Sequence, residues 1–404
     1  MWPLLLTAAF AARPVADHPC ELPSEGDPVQ VYLVTVTPGW DAISSLGHTL
    51  ILVAGGDRED PITYNWGAYD GGSDTVTEDF LRGRLPYFLA AWSWPAQRLS
   101  FLEQGRGALA QRLRLDDPAA FVSALETAAR PENARYVYDW RTANCATKAR
   151  DFLDDQLDGA LSEAWAYPTE STPRFEIRRH LGKAIAQDLG WSFVASAEVD
   201  EPLTEWERAL MPDRLMESVA DAAIDGRPLV DETCLLLPGR FGWAPERPPP
   251  TWPWMVPGVV FGWLAVSGAH GDEGKGRWLL AASLFAYGGF LTLLGTLTLA
   301  LSLATTMRAA GPTPAWLLAS PHSAVFLAAM VPVIRDRPAP PVLLAAVGLT
   351  ALLAAVGLFV APPGVGLALA PGIFACSYAV WRFRRGEGAR RAEASGAARS
   401  GSPA

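Results

Sequence analysis

Tyr136-Val-Tyr-Asp-Trp-Arg-Thr-Ala-Asn-Cys-Ala-Thr-Lys-Ala-Arg-Asp-Phe-Leu-Asp154 is the stretch on which the rest of the chain turns. Its first five residues are rich in aromatics and Val and read as a short strand. A helix follows, capped by Thr142 or Asn144, whose side-chain oxygens can accept from free N–H groups of the first turn. Cys145, Ala149, Phe152, Leu153 and Gln156 recur at helical spacing, with Lys148, Arg150, Asp151, Asp154 and Asp155 mostly off that stripe. Cys145 is therefore expected in the first turn, on the side facing the protein. There the helix dipole and unpaired N–H groups favour a thiolate. Taken alone, such a cysteine is more often a small buried thiol than a nucleophile, so its surroundings decide.

The chain has 404 residues, half of them hydrophobic, and its charge is unevenly spread. Residues 1–249 carry 22 Lys and Arg against 38 Asp and Glu, and the remainder 11 against 5, which gives the chain's net −10. An acidic globular half is thus joined to a basic, apolar half. The acidic half argues against nucleic acid as a partner, since phosphate binding needs clustered cations. No zinc-type cysteine spacing, dinucleotide or phosphate loop, or internal repeat is present, so no metal or cofactor is expected. Residues 1–16 resemble a secretory signal, with an apolar run too short to anchor. Cys20 invites a lipidated-cysteine reading, but His18-Pro19 is unlike the small residues such a site needs. In an exported domain, Cys20 and Cys234 bracket the globular half and could pair. Cys376 lies in an apolar run, which leaves Cys145 unpaired.

Val29–Thr37 and His48–Ala54 read as strands, and Pro61–Trp66 as a third, antiparallel to the second. Asp79–Gly83 and Leu85–Trp92 are expected as helix, Arg98–Leu102 and Leu109–Leu115 as strands, and Pro118–Ala129 as helix. Another helix opens at Pro173, with His180 expected to face solvent. The stretches 252–269, 278–307, 309–334 and 338–381 carry no Asp, Glu, Lys or Arg. The last is 44 residues long, about twice a ~30 Å hydrocarbon core, and Pro362-Pro363-Gly364 breaks it. Five spans are expected, near 252–269, 279–304, 315–334, 341–361 and 365–382, forming a membrane domain over 252–382. A basic tail, 383–404, follows. With the globular half outside, the inner loops and tail carry ten Lys and Arg and the outer loops only Arg308, as the positive-inside rule requires.

His48 begins a strand about a hundred residues before Cys145. A histidine on a strand packed on a cysteine at a helix start is the layout of papain-like thiol enzymes, in which imidazole takes the thiol proton and a third polar group orients it. Asn65 is the candidate third group, with Tyr64 and Asp70 behind it. The order His, polar, Cys is a circular permutation of the papain order. An oxyanion hole would use the Cys145 N–H and one further donor. Arg150-Asp151 reads first as a structural ion pair and second as a lipid-headgroup contact. Trp40, Trp66, Trp92 and Trp94 read as core or membrane-facing aromatics.

The segments WDAISSLGHTLILV, TYNWGAYD, FLRGRLPYFL and YVYDWRTANCATKARDFLD, in this order, resemble the N-terminal periplasmic domain of the Lnb-type lipoprotein N-acyltransferase family. TPRFEIRRHL and PLTEWERALMPDRL are also similar to it. The resemblance covers about 28–240. It implies an α+β, permuted papain-like domain over 28–245, related in logic to NlpC and lecithin–retinol acyltransferase-like enzymes, followed by an all-α membrane domain. It implies His48 and Cys145 as the catalytic pair and Asn65 as the third position. Arg150, Tyr64 and Trp66 are the residues expected to meet substrate. The partners expected are a phospholipid acyl donor, a lipoprotein acceptor and the bilayer. The location expected is the inner membrane, with the N-terminal domain periplasmic and the C-terminus cytoplasmic. A cell-envelope cysteine hydrolase or peptidase would use the same pair, and a non-enzymatic scaffold would use neither residue.

Overall fold

The computed structural model describes residues 16, 18–41, 44–72, 74–181, 184–271, 274–362 and 364–400. The expected signal segment therefore lies outside the described residues except for Ala16. The chain divides into two compact units, Met1–Lys183 with Asp200–Pro248, and Ala184–Val199 with Pro249–Ala404.

The first unit is built on a seven-stranded antiparallel sheet of order β6-β4-β3-β2-β1-β5-β9. Its strands are β1 (Gln30–Val36), β2 (His48–Ala54), β3 (Ile62–Tyr69), β4 (Pro86–Ser93), β5 (Ala108–Leu113), β6 (Arg135–Val137) and β9 (Val230–Leu237). Strands β7 (Ala223–Ile224) and β8 (Arg227–Pro228) form a separate small hairpin. The helices are α1 (Val76–Leu81), α2 (Trp94–Glu103), α3 (Pro118–Ala128), α4 (Cys145–Gln156), α5 (Ala160–Ala164), α6 (Pro173–Leu181), α8 (Glu205–Arg208) and α9 (Pro212–Asp221).

Both faces of the central strands are buried, and strand alternation sorts their side chains into two cores. Val31, Leu33, Ile51, Val53, Tyr64 and Trp66 pack with Ala146, Ala149 and Leu153 of α4 and with Phe121 and Leu125 of α3. Tyr32, Val34, Val36, Leu50 and Leu52 pack on the other face with Trp94 and Phe101 of α2. Two local expectations are corrected. Leu85–Trp92 forms strand β4 rather than helix, because its apolar run is paired on both sides, by β3 and by β6. Arg98–Leu102 lies inside α2 rather than in a strand; that helix opens with a proline in its first turn, Pro95, which suits a helix start.

Cys20 and Cys234 are joined by a disulfide, which removes the lipidated-cysteine reading. Pro19 bridges Leu235, so the segment 18–20 covers the outer edge of β9.

A buried ion network ties α6 to α9. Glu176 accepts from Arg179 and, at 2.9 Å, from Arg214. Arg179 reaches Asp213 at 2.8 Å, and Arg214 reaches Glu217 at 2.6 Å. His180 is 4 % exposed, contrary to the expected solvent-facing position. Its ring nitrogens lie 3.2 Å from Asp213 and 3.3 Å from the Ser45 carbonyl. Burial acts to raise the Asp213 carboxyl, but His180, Arg179 and Arg214 outweigh it and hold the group well below the usual range.

The second unit is helical: α7 (Ile185–Val194), α10 (Met255–His270), α11 (Lys275–Ala304), α12 (Val325–Ile334), α13 (Pro341–Val360) and α14 (Val365–Ser400). Ala184–Val199, inside the stretch expected to be globular, packs here, with Phe193 fully buried. Among the described residues four helical segments are long and apolar enough to cross a membrane: Lys275–Ala304, Pro314–Ile334, Pro341–Val360 and Val365–Arg384. The first expected span forms α10, which at 16 residues is shorter than these. It nevertheless lies flush on α14, Gly258 against the Ala368 carbonyl and Gly262 against Ala375, the close approach that small residues permit. Leu297, Leu303, Val342 and Phe359 face outward, at 60–86 % exposure, which fits a surround of lipid.

Candidate active site

The turn before α4 is held from within. Asp139 Oδ1 accepts from the Arg141 and Thr142 N–H groups and from the Thr142 hydroxyl. Asn144 caps the helix: its Oδ1 accepts from the N–H of Ala146 at 2.8 Å and of Thr147 at 2.9 Å. In return the Asn144 N–H donates to Thr147 Oγ1. Asn144 Nδ2 donates to the carbonyls of Trp140 and Leu210. All four donor and acceptor capacities of the cap are used, so the first turn, and Cys145 with it, is fixed.

The sheet opens to receive this helix start. The β2–β3 ladder stops at Ile51↔Tyr64; continued, it would set His48 opposite Gly67. Instead β3 bulges between Trp66 and Ala68, with Gly67 at φ +145°, a conformation that only glycine adopts without strain. A methyl group on Gly67 would lie 3.3 Å from His48 Cε1, 3.7 Å from Asn65 Oδ1 and 3.9 Å from Cys145 Cβ. The three expected catalytic residues therefore converge at this opening.

His48 Nε2 lies 2.7 Å from Asn65 Oδ1. Asn65 Nδ2 donates to Gln97 Oε1 at 3.4 Å, which turns the amide carbonyl toward the imidazole. The Nε2 proton is thus donated to Asn65, and Nδ1 keeps its lone pair. Burial, and then the Arg106 charge, lower the His48 pKa to about 4, against the Asn65 bond. Burial pushes the Cys145 thiol above its ordinary value, opposed by the N–H groups of Thr49, Ala146 and Cys145 and by Arg106. Both shifts favour the neutral forms over the ion pair suggested by the general layout of thiol enzymes. Low-dielectric surroundings disfavour both charges at once. Such a pair can still pass a proton from sulfur to Nδ1 when a carbonyl carbon accepts the sulfur lone pair. The N–H groups gathered at the sulfur are oriented donors of the kind that stabilise an oxyanion.

The other expected site residues lie elsewhere. Tyr64 and Trp66 point to the α4 core, with the Trp66 ring 5.5 Å from that of Phe152. The Arg150 guanidinium stacks 3.8 Å from the Trp206 ring centroid, donates to the Trp206 carbonyl and pairs with Asp151. Asp70 is exposed and accepts from Gly72 N–H. Residues not foreseen are Gly67, Gln97 and Arg106. A glycine following a strand polar residue, in Asn65-Trp66-Gly67, is a bulge signal for the first; the other two carry no local signal.

No curated protein and no solved structure matches the chain. Residues 24–174, which hold His48, Asn65, Gly67 and Cys145, match the family model of the Lnb N-terminal periplasmic domain. Over these residues the globular unit of this chain is similar to the Lnb N-terminal periplasmic domain.

Proposed function

We propose that the chain is a membrane-anchored thiol acyltransferase with a permuted papain-like catalytic domain. Cys145 attacks an ester carbonyl of a phospholipid, and His48 Nδ1 takes the thiol proton. The lysophospholipid leaves with that proton, and the acyl chain stays on sulfur as a thioester. A neutral amine then attacks the thioester, loses its proton to His48, and the thiol is restored. Asn65 holds the imidazole. The observation that carries this reading is the convergence of His48, Asn65 and Cys145 around Gly67, with Cys145 at a fully capped helix start. The acceptor that fits best is the N-terminal amine of a lipoprotein. Its pKa near ~8 makes it easier to deprotonate than a Lys side chain near ~10.4, and its lipid already lies at the membrane surface. The apolar helices support a bilayer setting, with the globular unit on the periplasmic side of the inner membrane.

The test incubates the purified full-length protein in detergent with phospholipid and a diacylated lipopeptide. The expected products are an amide-linked third chain, lysophospholipid and, on quenching, an acyl adduct on the Cys145 peptide. Cys145→Ala and His48→Ala should each abolish these, and the double variant should be no worse than either. Free fatty acid as the only product would replace the transferase reading with hydrolysis.

A further inference from the structure

We propose that Arg106 is a positioning residue of the thiol site: a fixed buried cation that stabilises negative charge on the Cys145 sulfur and keeps His48 in its base form. This rests on the reading of Cys145 as the reactive thiol.

Arg106 is 5 % exposed, two residues before β5. The sheet register brings it to the His48 end: Ala108 pairs with Val36, and Val36 pairs with His48. The side chain is strapped there. Its Nε donates to the Thr37 carbonyl at 2.8 Å, its backbone N–H donates to the Phe101 carbonyl, and its guanidinium lies 5.5 Å from the Phe101 ring centroid. Its Nη2 is buried and has no hydrogen-bond partner among the described residues. A buried guanidinium with an unused donor is costly unless an anion forms beside it. Asp41 acts on it electrostatically, as does Cys145.

The remaining groups around the thiol cannot supply this charge. Tyr87, Tyr136 and Tyr138 feel Cys145 and are held protonated by burial. Lys148, one turn along α4, sits over the Tyr136 ring. α9, also packed on α4, turns Asp213, Arg214 and Glu217 into the network with Glu176 and Arg179. Glu163 on α5 is exposed. The polar groups of β3, Thr63, Tyr64, Asn65 and Tyr69, include no cation. Burial is the larger cause at both partners; Arg106 adds to it at His48 and opposes it at Cys145. The guanidinium favours thiolate and opposes imidazolium, so the proton moves only as the substrate carbonyl draws electrons from sulfur.

The experiment reads the pH profile of Cys145 alkylation by iodoacetamide and of His48 modification by diethyl pyrocarbonate. Both are followed by peptide mass spectrometry on the full-length protein in detergent. Without the Arg106 charge, both midpoints should move up together. For the thiol the shift should be on the order of one pH unit, an about tenfold lower alkylation rate below the midpoint. Arg106→Gln and Arg106→Met are the charge-free variants, the second preserving packing on Phe101 if the first does not fold. Arg106→Lys should hold both midpoints near the wild-type values. A purely structural role predicts the opposite for sulfur: loosening admits water and lowers the thiol midpoint, since burial is what raised it. A thiol midpoint that is unchanged or lowered in the charge-free variants overturns the proposal, as does an Arg106→Lys shift as large as theirs. Alkylation needs no acyl transfer, so failure of the transferase reading is separately visible.

Discussion

Replacing Gly67 with alanine perturbs the proposed site at its hinge. Two costs can be worked out from the geometry. At φ +145° an L side chain is strained by about 1–3 kcal/mol. The new methyl would stand 3.3 Å from His48 Cε1, inside the ~3.5–4.0 Å of an optimal carbon contact. Swinging the imidazole ~30° off its rotamer to relieve this costs about 0.5–1.5 kcal/mol, and it breaks the 2.7 Å bond to Asn65. Together the loss is about 2–4 kcal/mol, an apparent unfolding midpoint lower by roughly 5–15 °C for a unit of this size. A misplaced general base should lower the acylation rate of Cys145 by about 10²–10⁴-fold. Gly26→Ala is the control: φ is +87°, but nothing lies within 4 Å of the added carbon, so stability should fall and rate should not. Acylation followed by mass of the Cys145 peptide, with thermal unfolding in detergent, reads both. A Gly67→Ala protein with wild-type rate would refute the account of how the three residues are held together.

The depressed His48 pKa has a stability consequence with a definite sign. Between ~6.5, its unfolded value, and about 4, the unfolded chain binds a proton that the folded one refuses. Stability therefore falls as pH drops through that window, by up to about 3 kcal/mol, and His48→Gln should flatten the fall; equal slopes in both proteins by unfolding at pH 7 and pH 4.5 would contradict this. Arg179→Met leaves Glu176 and Asp213 short of a buried partner and should cost about 3–5 kcal/mol, measured as a loss of the folded globular unit in denaturant. For topology, five crossings, the four longer helical segments together with α10, would place the Arg-rich tail in the cytoplasm. A C-terminal reporter active only in the periplasm would show that α10 does not cross.

What was legible in the sequence was whatever short-range chemistry dictates. The cap at Asn144 and the helix stripe from Cys145 follow from spacing within one turn. The strand carrying His48 follows from its β-branched run. What failed had its cause at a distance. Pro86–Ser93 has an apolar run that suits a buried strand and a buried helix equally, and pairing with β3 and β6 decided it. His180 has a helical position that looks solvent-facing until Asp213, 33 residues on, is brought against it. The two family-like segments TPRFEIRRHL and PLTEWERALMPDRL contribute Glu176, Arg179, His180, Asp213 and Arg214 to one ion network. Their charges read locally as surface, although the fold buries them. Arg106 sits between two glycines with no periodicity around it, so only the sheet register reveals where it goes.

The Cys20–Cys234 disulfide closes a loop of 214 residues that contains Cys145, the proposed nucleophile. Chain order fixes a hazard during synthesis. Cys20 emerges first, Cys145 second and Cys234 last, so the first thiol available to Cys20 is the wrong one. Two features of the finished domain work against that mispairing. The helix start that carries Cys145 needs only Asp139–Thr147 and the Trp140 and Leu210 carbonyls to cap itself, so it can form before β9 exists. β9 in turn meets the 18–20 segment through backbone bonds at Leu235, beside Cys234, which lines up the correct sulfur once the last strand docks. A Cys20–Cys145 pairing made before β9 would leave Cys234 without its partner. The order in which chain segments become available therefore bears on whether Cys145 stays a free thiol.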